Sequence, residues 1–146
     1  MEERLIEALK VVQADHYSLY FKAHGFHWNV EGKNFPQYHE FYSNIYEDVY
    51  EAIDTIAEDI RKLNSYAPFK MSRFLELTTI EETEVGPMCE DMNADLLIAM
   101  GRAIATVNTA MGIAIDTNEQ GIANNLAERD SMLKKWLWQL RSSMKG

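Results

Sequence analysis

The sequence lacks several features that would assign the protein to a specialised class. It has one cysteine, Cys89, in 146 residues, which excludes an internal disulfide framework and a cysteine-based zinc site. No apolar run approaches the roughly 18 to 20 residues that a membrane-spanning helix needs. The first residues, MEERLIEALK, are charged from the start and lack the apolar segment of a signal peptide. These absences predict a cytoplasmic protein with no membrane partner, in which Cys89 is a free buried thiol.

Basic residues are also scarce relative to acidic ones. The chain has 14 lysines and arginines against 23 aspartates and glutamates, a formal net charge of −9. Affinity for nucleic acids rests on lysine and arginine contacts with phosphate, so this balance disfavours DNA and favours cations as partners. Apolar residues make up 47% and charged residues 25%, as in ordinary globular proteins. The length fits a single domain over residues 1–146.

The sequence does contain strong helical periodicity, with no alternating strand pattern and no internal repeat. Apolar residues at spacings of three and four predict four long helices, at about 2–28, 34–63, 88–115 and 118–141. Short loops within the first and last pairs predict two antiparallel hairpins. The connection between the pairs, 64–87, contains the segment MSRFLEL, which predicts a short helix at 71–77. A connection of this length can cross the bundle and make the second and third helices parallel, the ferritin-like arrangement.

The second helix carries residues that point to a function. Asn34 is a candidate N-cap, and Gln37 three residues later completes a capping box. Further along, His39, Asp54 and Glu58 lie within an arc of about 100° on one helix face. Asp54, the nearer carboxylate, is about 22 Å along the helix from the imidazole, so the pair is too far away to share a metal ion with it within one chain. A second, antiparallel copy of the helix would bring them together, which predicts a metal site made by two subunits.

The order and spacing of these residues resemble a known family. HWN, then NFPQYHE, then DTIAE is similar to the Dps family, the small dodecameric ferritins also called DNA-binding proteins from starved cells, and the similarity extends over nearly the whole chain. The resemblance implies an all-α, ferritin-like four-helix bundle whose crossover helix lies at a dimer interface. It also implies that the direct metal ligands are His27, His39, Asp54 and Glu58. Imidazoles and carboxylates together suit Fe(II), zinc or manganese, so iron is the expected metal and zinc a possible substitute.

The function implied by the resemblance is that of a ferroxidase and iron-storage protein. Such a protein binds Fe(II) between subunits, oxidises it with hydrogen peroxide or oxygen, and stores ferric oxide inside a dodecamer built from two-fold dimers, which limits oxidative damage. Two alternatives belong to other classes: an architectural nucleoid protein, and a shell that binds zinc or iron without turnover. Some family members contact DNA through a lysine-rich tail. Here the chain begins with Glu2 and Glu3 and ends in RSSMKG, which predicts no DNA binding.

Two departures from known patterns bear on the metal chemistry. Di-iron centres inside a helical bundle need histidines preceded three residues earlier by glutamate, and no histidine in the predicted helices meets this requirement. An in-bundle centre is therefore not expected. Most Dps proteins have an aspartate at the position of Ser43, and a hydroxyl does not replace its charge. The second iron position is therefore expected to be weak, with Glu47, one turn further on, as a candidate substitute ligand.

Four other residues have two interpretations each. The tryptophan of the family at the position of Trp28 is thought to be redox-active, whereas packing at an interface is the simpler role. His24, one turn before His27, is either a neighbour of the metal site or a surface residue. Asp116 and Glu119 match the acidic residues that line three-fold iron pores in Dps shells, but they also suit an ordinary helix turn.

Overall fold

The computed structural model describes residues 2–145 and is all-α over that range. Its helices are α1 (Glu2–Asn29), α2 (Phe35–Lys62), α3 (Met71–Leu77), α4 (Cys89–Asp116) and α5 (Gln120–Ser143). The long helices form one bundle in which α1 packs on α2 and α4, and α5 packs on α4 and α2. An isolated parallel bridge joins Glu31, just before α2, to Met88, just before α4. Helices α2 and α4 therefore begin at the same end of the bundle, and the predicted crossover with its short helix is confirmed.

The apolar stripes predicted from periodicity form the core. Leu5, Leu9 and Leu19 of α1 and Leu96 of α4 are fully buried. Within residues 2–145, only α4 is long and apolar enough by length and composition to cross a membrane. Core helices of helical bundles meet the same criterion because apolar residues cover much of their surface. The buried side of α4 packs against α1 and α5 and includes Cys89, whose thiol is free and buried as predicted.

The start of α2 differs from the prediction. Asn34 is the N-cap residue, but its side chain makes no capping hydrogen bond within the described chain, so the predicted capping box is wrong. Backbone bonds hold this loop instead: the Phe35 N–H donates to the Gly32 carbonyl at 3.1 Å, and the Glu31 N–H to the Pro87 carbonyl at 2.8 Å. Gly32 has a φ of +116°, a conformation that favours glycine.

A buried carboxylate attaches the crossover to the bundle. Asp15 of α1 is fully buried and accepts hydrogen bonds at 2.7 Å from the Thr78 hydroxyl and from both the N–H and the hydroxyl of Thr79. The Thr106 hydroxyl of α4 donates a further bond at 3.0 Å. Because a buried carboxylate needs such donors, this set fixes the chain immediately after α3 against α1 and α4.

A second polar network lies inside the bundle, between α1, α2 and α5. The fully buried His16 donates from Nδ1 to the Val12 carbonyl at 2.9 Å, and its Nε2 accepts from Arg129 Nε at 3.1 Å. The Arg129 guanidinium pairs with both oxygens of Asp48 at 3.1 and 3.0 Å, and Trp136 Nε1 donates to the same carboxylate at 2.9 Å. A guanidinium in this place repels cations, in agreement with the expectation of no di-iron centre inside the bundle.

Candidate metal site

His27 and His39 meet where the end of α1 lies against the start of α2. His27 Nδ1 lies 2.6 Å from the His39 carbonyl oxygen, and His39 Nδ1 lies 2.7 Å from the His27 carbonyl oxygen. A carbonyl only accepts hydrogen bonds, so each Nδ1 donates, and Nε2 is the nitrogen of each ring that a metal ion can bind. The rings stack with centroids 3.8 Å apart and an interplanar angle of 16°. Backbone carbonyls commonly orient metal-binding histidines in this way.

The two predicted carboxylates lie elsewhere on the same outer surface. Asp54 and Glu58 are exposed on α2, whereas the opposite side of the helix buries Tyr42, Ile45 and Ile60. Because α2 is unbroken from Phe35 to Lys62, Asp54 lies about 22 Å and Glu58 about 28 Å along the helix from His39. Within residues 2–145 no group of three or more His, Cys, Asp and Glu side chains is placed to hold a metal ion. The single chain thus brings the two histidines together and leaves the carboxylates apart.

The Ser43 hydroxyl is engaged within its own helix. Its Oγ donates to the Glu40 carbonyl at 2.7 Å, so it is not directed at a ligand. Glu47, the candidate substitute, is exposed on the next turn. Asp54 lies near Tyr17, where burial, then Tyr50 and Asp54 itself, raise the pKa of the phenol. The outer face of α2 therefore has carboxylates near its middle and towards its end, and within residues 2–145 no carboxylate joins the histidine pair to form a group of three possible ligands.

An aromatic cluster surrounds the histidine pair, and its one sign in the sequence is the one-turn spacing of His24 and His27. The His24 ring stacks on Tyr46, with centroids 3.9 Å apart, and its Nδ1 lies 3.0 Å from the Tyr20 hydroxyl. Burial and the neighbouring His27 lower the pKa of His24 and favour its neutral form. Trp28 lies 4.1 Å from His24, centroid to centroid, and is 64% exposed. Because most of the Trp28 ring is exposed in one chain, it is available to pack against another subunit.

The acidic residues between α4 and α5 occupy the turn that the sequence predicted. Asp116 is the exposed last residue of α4, and Glu119 is the N-cap residue of α5. The Glu119 N–H donates to the Ala114 carbonyl at 2.9 Å, and Asn118 adopts a left-handed φ of 62°. Both acidic residues therefore lie at the turn between α4 and α5, and their role stays a prediction.

Comparison of the sequence and the fold with known proteins assigns the chain to a family. A family model described as a ferritin-like domain matches residues 6–143. The chain is 29% identical over 142 residues to DNA protection during starvation protein 2 of Bacillus anthracis, covering 97% of each chain. The crystal structure of antigen TpF1 from Treponema pallidum superposes with a TM-score of 0.94 at 29% identity, covering 99% of this chain and 94% of the other. The chain belongs to the Dps family of ferritin-like proteins.

The fold of this Dps protein is shared with more distant relatives. A Dps structure from Vibrio cholerae, described as a member of a broad superfamily of ferritin-like diiron-carboxylate proteins, matches with a TM-score of 0.94 at 24% identity, covering 99% of this chain and 91% of that one. Family membership and the all-α ferritin-like fold are therefore confirmed. The assignment of individual metal ligands remains a prediction.

Proposed function

We propose that this Dps protein binds Fe(II) as a substrate at sites formed between two subunits, oxidises it and stores the ferric product. The observation that carries the proposal is the reciprocal hydrogen bonding of His27 and His39, which engages both Nδ1 atoms and leaves Nε2 of each ring as the nitrogen for a metal ion. Asp54 and Glu58 of the partner subunit complete each site. The family supports iron storage and protection as the broad role, which fits an expected location in the cytoplasm.

A two-fold partner supplies what one chain lacks. If His39 faces the carboxylates of an antiparallel second α2, paired residue numbers sum to about 93 to 97, and the axis passes near residues 46–48. The surface around this position carries exposed apolar side chains, including Tyr50, Met71 and Leu75. An apolar surface of this kind is typical of a face covered by another subunit. The expected assembly is the family's dodecamer, built from such dimers, with Asp116 and Glu119 lining pores for iron.

The donor set suits the proposed reaction. Neutral imidazoles bind Fe(II), and anionic carboxylates favour the more highly charged Fe(III) product. Two Fe(II) ions each lose one electron, and one hydrogen peroxide accepts both as its O–O bond breaks. Hydrolysis of Fe(III) then releases protons to solvent as the ferric oxide forms. Zinc binds the same imidazole and carboxylate donors as Fe(II) but does not change its oxidation state. It is therefore expected to occupy the site without redox turnover.

The shared site is tested by combining two inactive variants. A His27→Ala/His39→Ala chain and an Asp54→Ala/Glu58→Ala chain each lack half of every site. In randomly mixed dimers, symmetry gives intact sites at about a quarter of positions. Differently tagged chains are co-expressed, and shells holding both tags are loaded with Fe(II) without oxygen, then given peroxide while ferric absorbance is followed. Shells of either variant alone serve as controls. Mixed shells that oxidise no more iron than these controls would show that the site is not shared.

The two alternative functions receive no comparable support. An architectural nucleoid role needs contacts with phosphate, and a net charge of −9 gives little counterion release to drive them. Gel retardation of duplex DNA at physiological salt separates that role from the proposed one. A shell that binds metal without turnover is separated by the peroxide step above, because it would bind Fe(II) without forming ferric absorbance.

A further inference from the structure

A third imidazole lies beside the proposed ligands. His24 precedes His27 by one turn of α1, and the two ring centroids are 6.0 Å apart. The ring is half-buried and held between Tyr46, at 3.9 Å, and Trp28, at 4.1 Å. Such stacking limits rotation of the ring. His24 is therefore a positioned side chain in the immediate surroundings of the metal site.

The hydrogen bonding of His24 leaves one nitrogen for a ligand. The Tyr20 hydroxyl lies 3.0 Å from Nδ1, and its oxygen can accept the Nδ1 proton. In that tautomer the Nε2 lone pair is free, as it is in His27 and His39. A hydrogen-bond acceptor on the far nitrogen orients a metal-binding imidazole, and the oxygen of the Tyr20 hydroxyl can serve as that acceptor.

His24 lies on α1 beside the turn of α2 where Ser43 replaces the aspartate found in most Dps proteins. Helices α1 and α2 run antiparallel, with His27 against His39 and His24 against Tyr46. Ser43 lies between those two positions on α2, one turn from each. The hydroxyl of Ser43 is bonded to its own helix, and His24, which stacks on Tyr46 one turn further along, offers a nitrogen donor beside that turn.

We propose that His24 Nε2 is a ligand for the second ferrous ion and takes the place of the carboxylate that is absent at Ser43. This inference rests on the proposed function, since the second ion needs the first site beside it. Exchanging a carboxylate for an imidazole makes the site one negative charge less anionic. Metals that accept nitrogen, such as Fe(II), Co(II) and zinc, are then favoured over metals that prefer oxygen, such as magnesium and manganese.

The test measures metal binding rather than turnover. Co(II), which absorbs visible light when bound, is titrated without oxygen into the assembled protein and into the His24→Phe variant, which keeps an aromatic ring against Tyr46. The first Co(II) should bind with unchanged affinity and the second at least about tenfold more weakly. Tyr20→Phe, which removes only the hydroxyl that orients His24, should weaken the second Co(II) by up to about tenfold.

A restoring variant separates a lost ligand from a disturbed fold. Adding Ser43→Asp to His24→Phe supplies a carboxylate at the vacant position and should recover the second Co(II), while Ser43→Ala should not. Unchanged binding of both ions in His24→Phe would overturn the inference and leave the proposed function standing. If His27→Ala/His39→Ala leaves the first Co(II) bound as before, the proposed site is wrong, and the His24 inference with it.

Discussion

His16, inside the bundle, and the pair His27 and His39, at its surface, differ in how many ring nitrogens form hydrogen bonds within the chain. His16 uses both ring nitrogens within the chain: Nδ1 donates to a backbone carbonyl and Nε2 accepts from Arg129. His27 and His39 use only Nδ1, each towards the backbone carbonyl of the other. The polar network around His16 is therefore complete in one chain. The surface pair leaves its Nε2 atoms free, and the proposed function gives those atoms to a metal ion.

This difference separates stability from function in the molecule. A buried polar group that loses its partner destabilises the fold, because water cannot replace the lost bond. A half-exposed group that loses its partner is hydrated instead, so its loss costs the fold little. Substitutions in the interior network should therefore change the free energy of unfolding, and substitutions at the surface pair should change metal binding.

The largest effect on stability is expected for Asp48→Asn. The Arg129 side chain is only 10% exposed, and it would lose its anionic partner. Because asparagine offers one neutral acceptor oxygen, one of the two hydrogen bonds from the guanidinium would also be lost. Removing one member of a buried ion pair costs about 3 kcal/mol, at the low end of the usual range because Asp48 is 20% exposed. Urea unfolding of the metal-free protein, at a fixed subunit concentration, measures this cost.

The matched control is the same substitution on the outer face of the same helix. Asp54→Asn removes a charge from an exposed residue of α2 and should change the unfolding free energy by less than about 0.5 kcal/mol. Equal destabilisation by the two variants would break the distinction between interior and surface.

A smaller, pH-dependent effect is expected for His16. Burial, and then Arg129, lower the pKa of His16 from 6.5 to about 3. Between these values the unfolded chain binds a proton that the folded chain does not. The stability due to neutral His16 is thus complete above pH 6.5 and is lost as the pH falls towards 3, at about 1.4 kcal/mol per pH unit. His16→Gln keeps an acceptor for Arg129 but does not titrate. The unfolding free energies of the unmodified protein and of His16→Gln are measured from pH 7 to pH 5. The variant's should fall less steeply, by about 1.4 kcal/mol per pH unit below pH 6.5. Equal slopes for the two proteins would show that His16 is protonated in the folded chain.

The sequence predicts the helices better than it predicts the contacts between them. The segment MSRFLEL predicted α3 with its observed bounds. Periodicity predicted the apolar stripes of the long helices, and residues of those stripes such as Leu5, Leu9 and Leu19 form the core, because a helix pattern identifies the buried face. It could not give the bond between His16 and Arg129, which are 113 residues apart, since periodicity does not say which faces meet. The capping box failed for a related reason: backbone bonds around Gly32 satisfy the start of α2 without the Asn34 side chain.

The same limit applies to the candidate site. Motif spacing selected His27 and His39, and the structure brings them into contact. The spacing carried no information on their bonds to backbone carbonyls or on the stacking of His24 against Tyr46, because these depend on the relative register of α1 and α2. Asp54 and Glu58 are too far along α2 from His39 to meet it within one chain, so the proposed site requires a second subunit.

The smallest effect on the fold is expected for His39→Ala, and it gives the sharpest test of the comparison. Alanine suits a helix, and the His27 Nδ1–H keeps its acceptor because that acceptor is the backbone carbonyl of residue 39. The metal-free protein should lose no more than about 1 kcal/mol, the value of one ordinary hydrogen bond. Zinc at a hundred times its dissociation constant should stabilise the unmodified protein by about 2.7 kcal/mol per site, and His39→Ala should abolish most of that gain. Unfolding with and without zinc measures both quantities at once. A variant that keeps the zinc gain, or loses as much metal-free stability as Asp48→Asn, would show that the pair serves the fold rather than the metal.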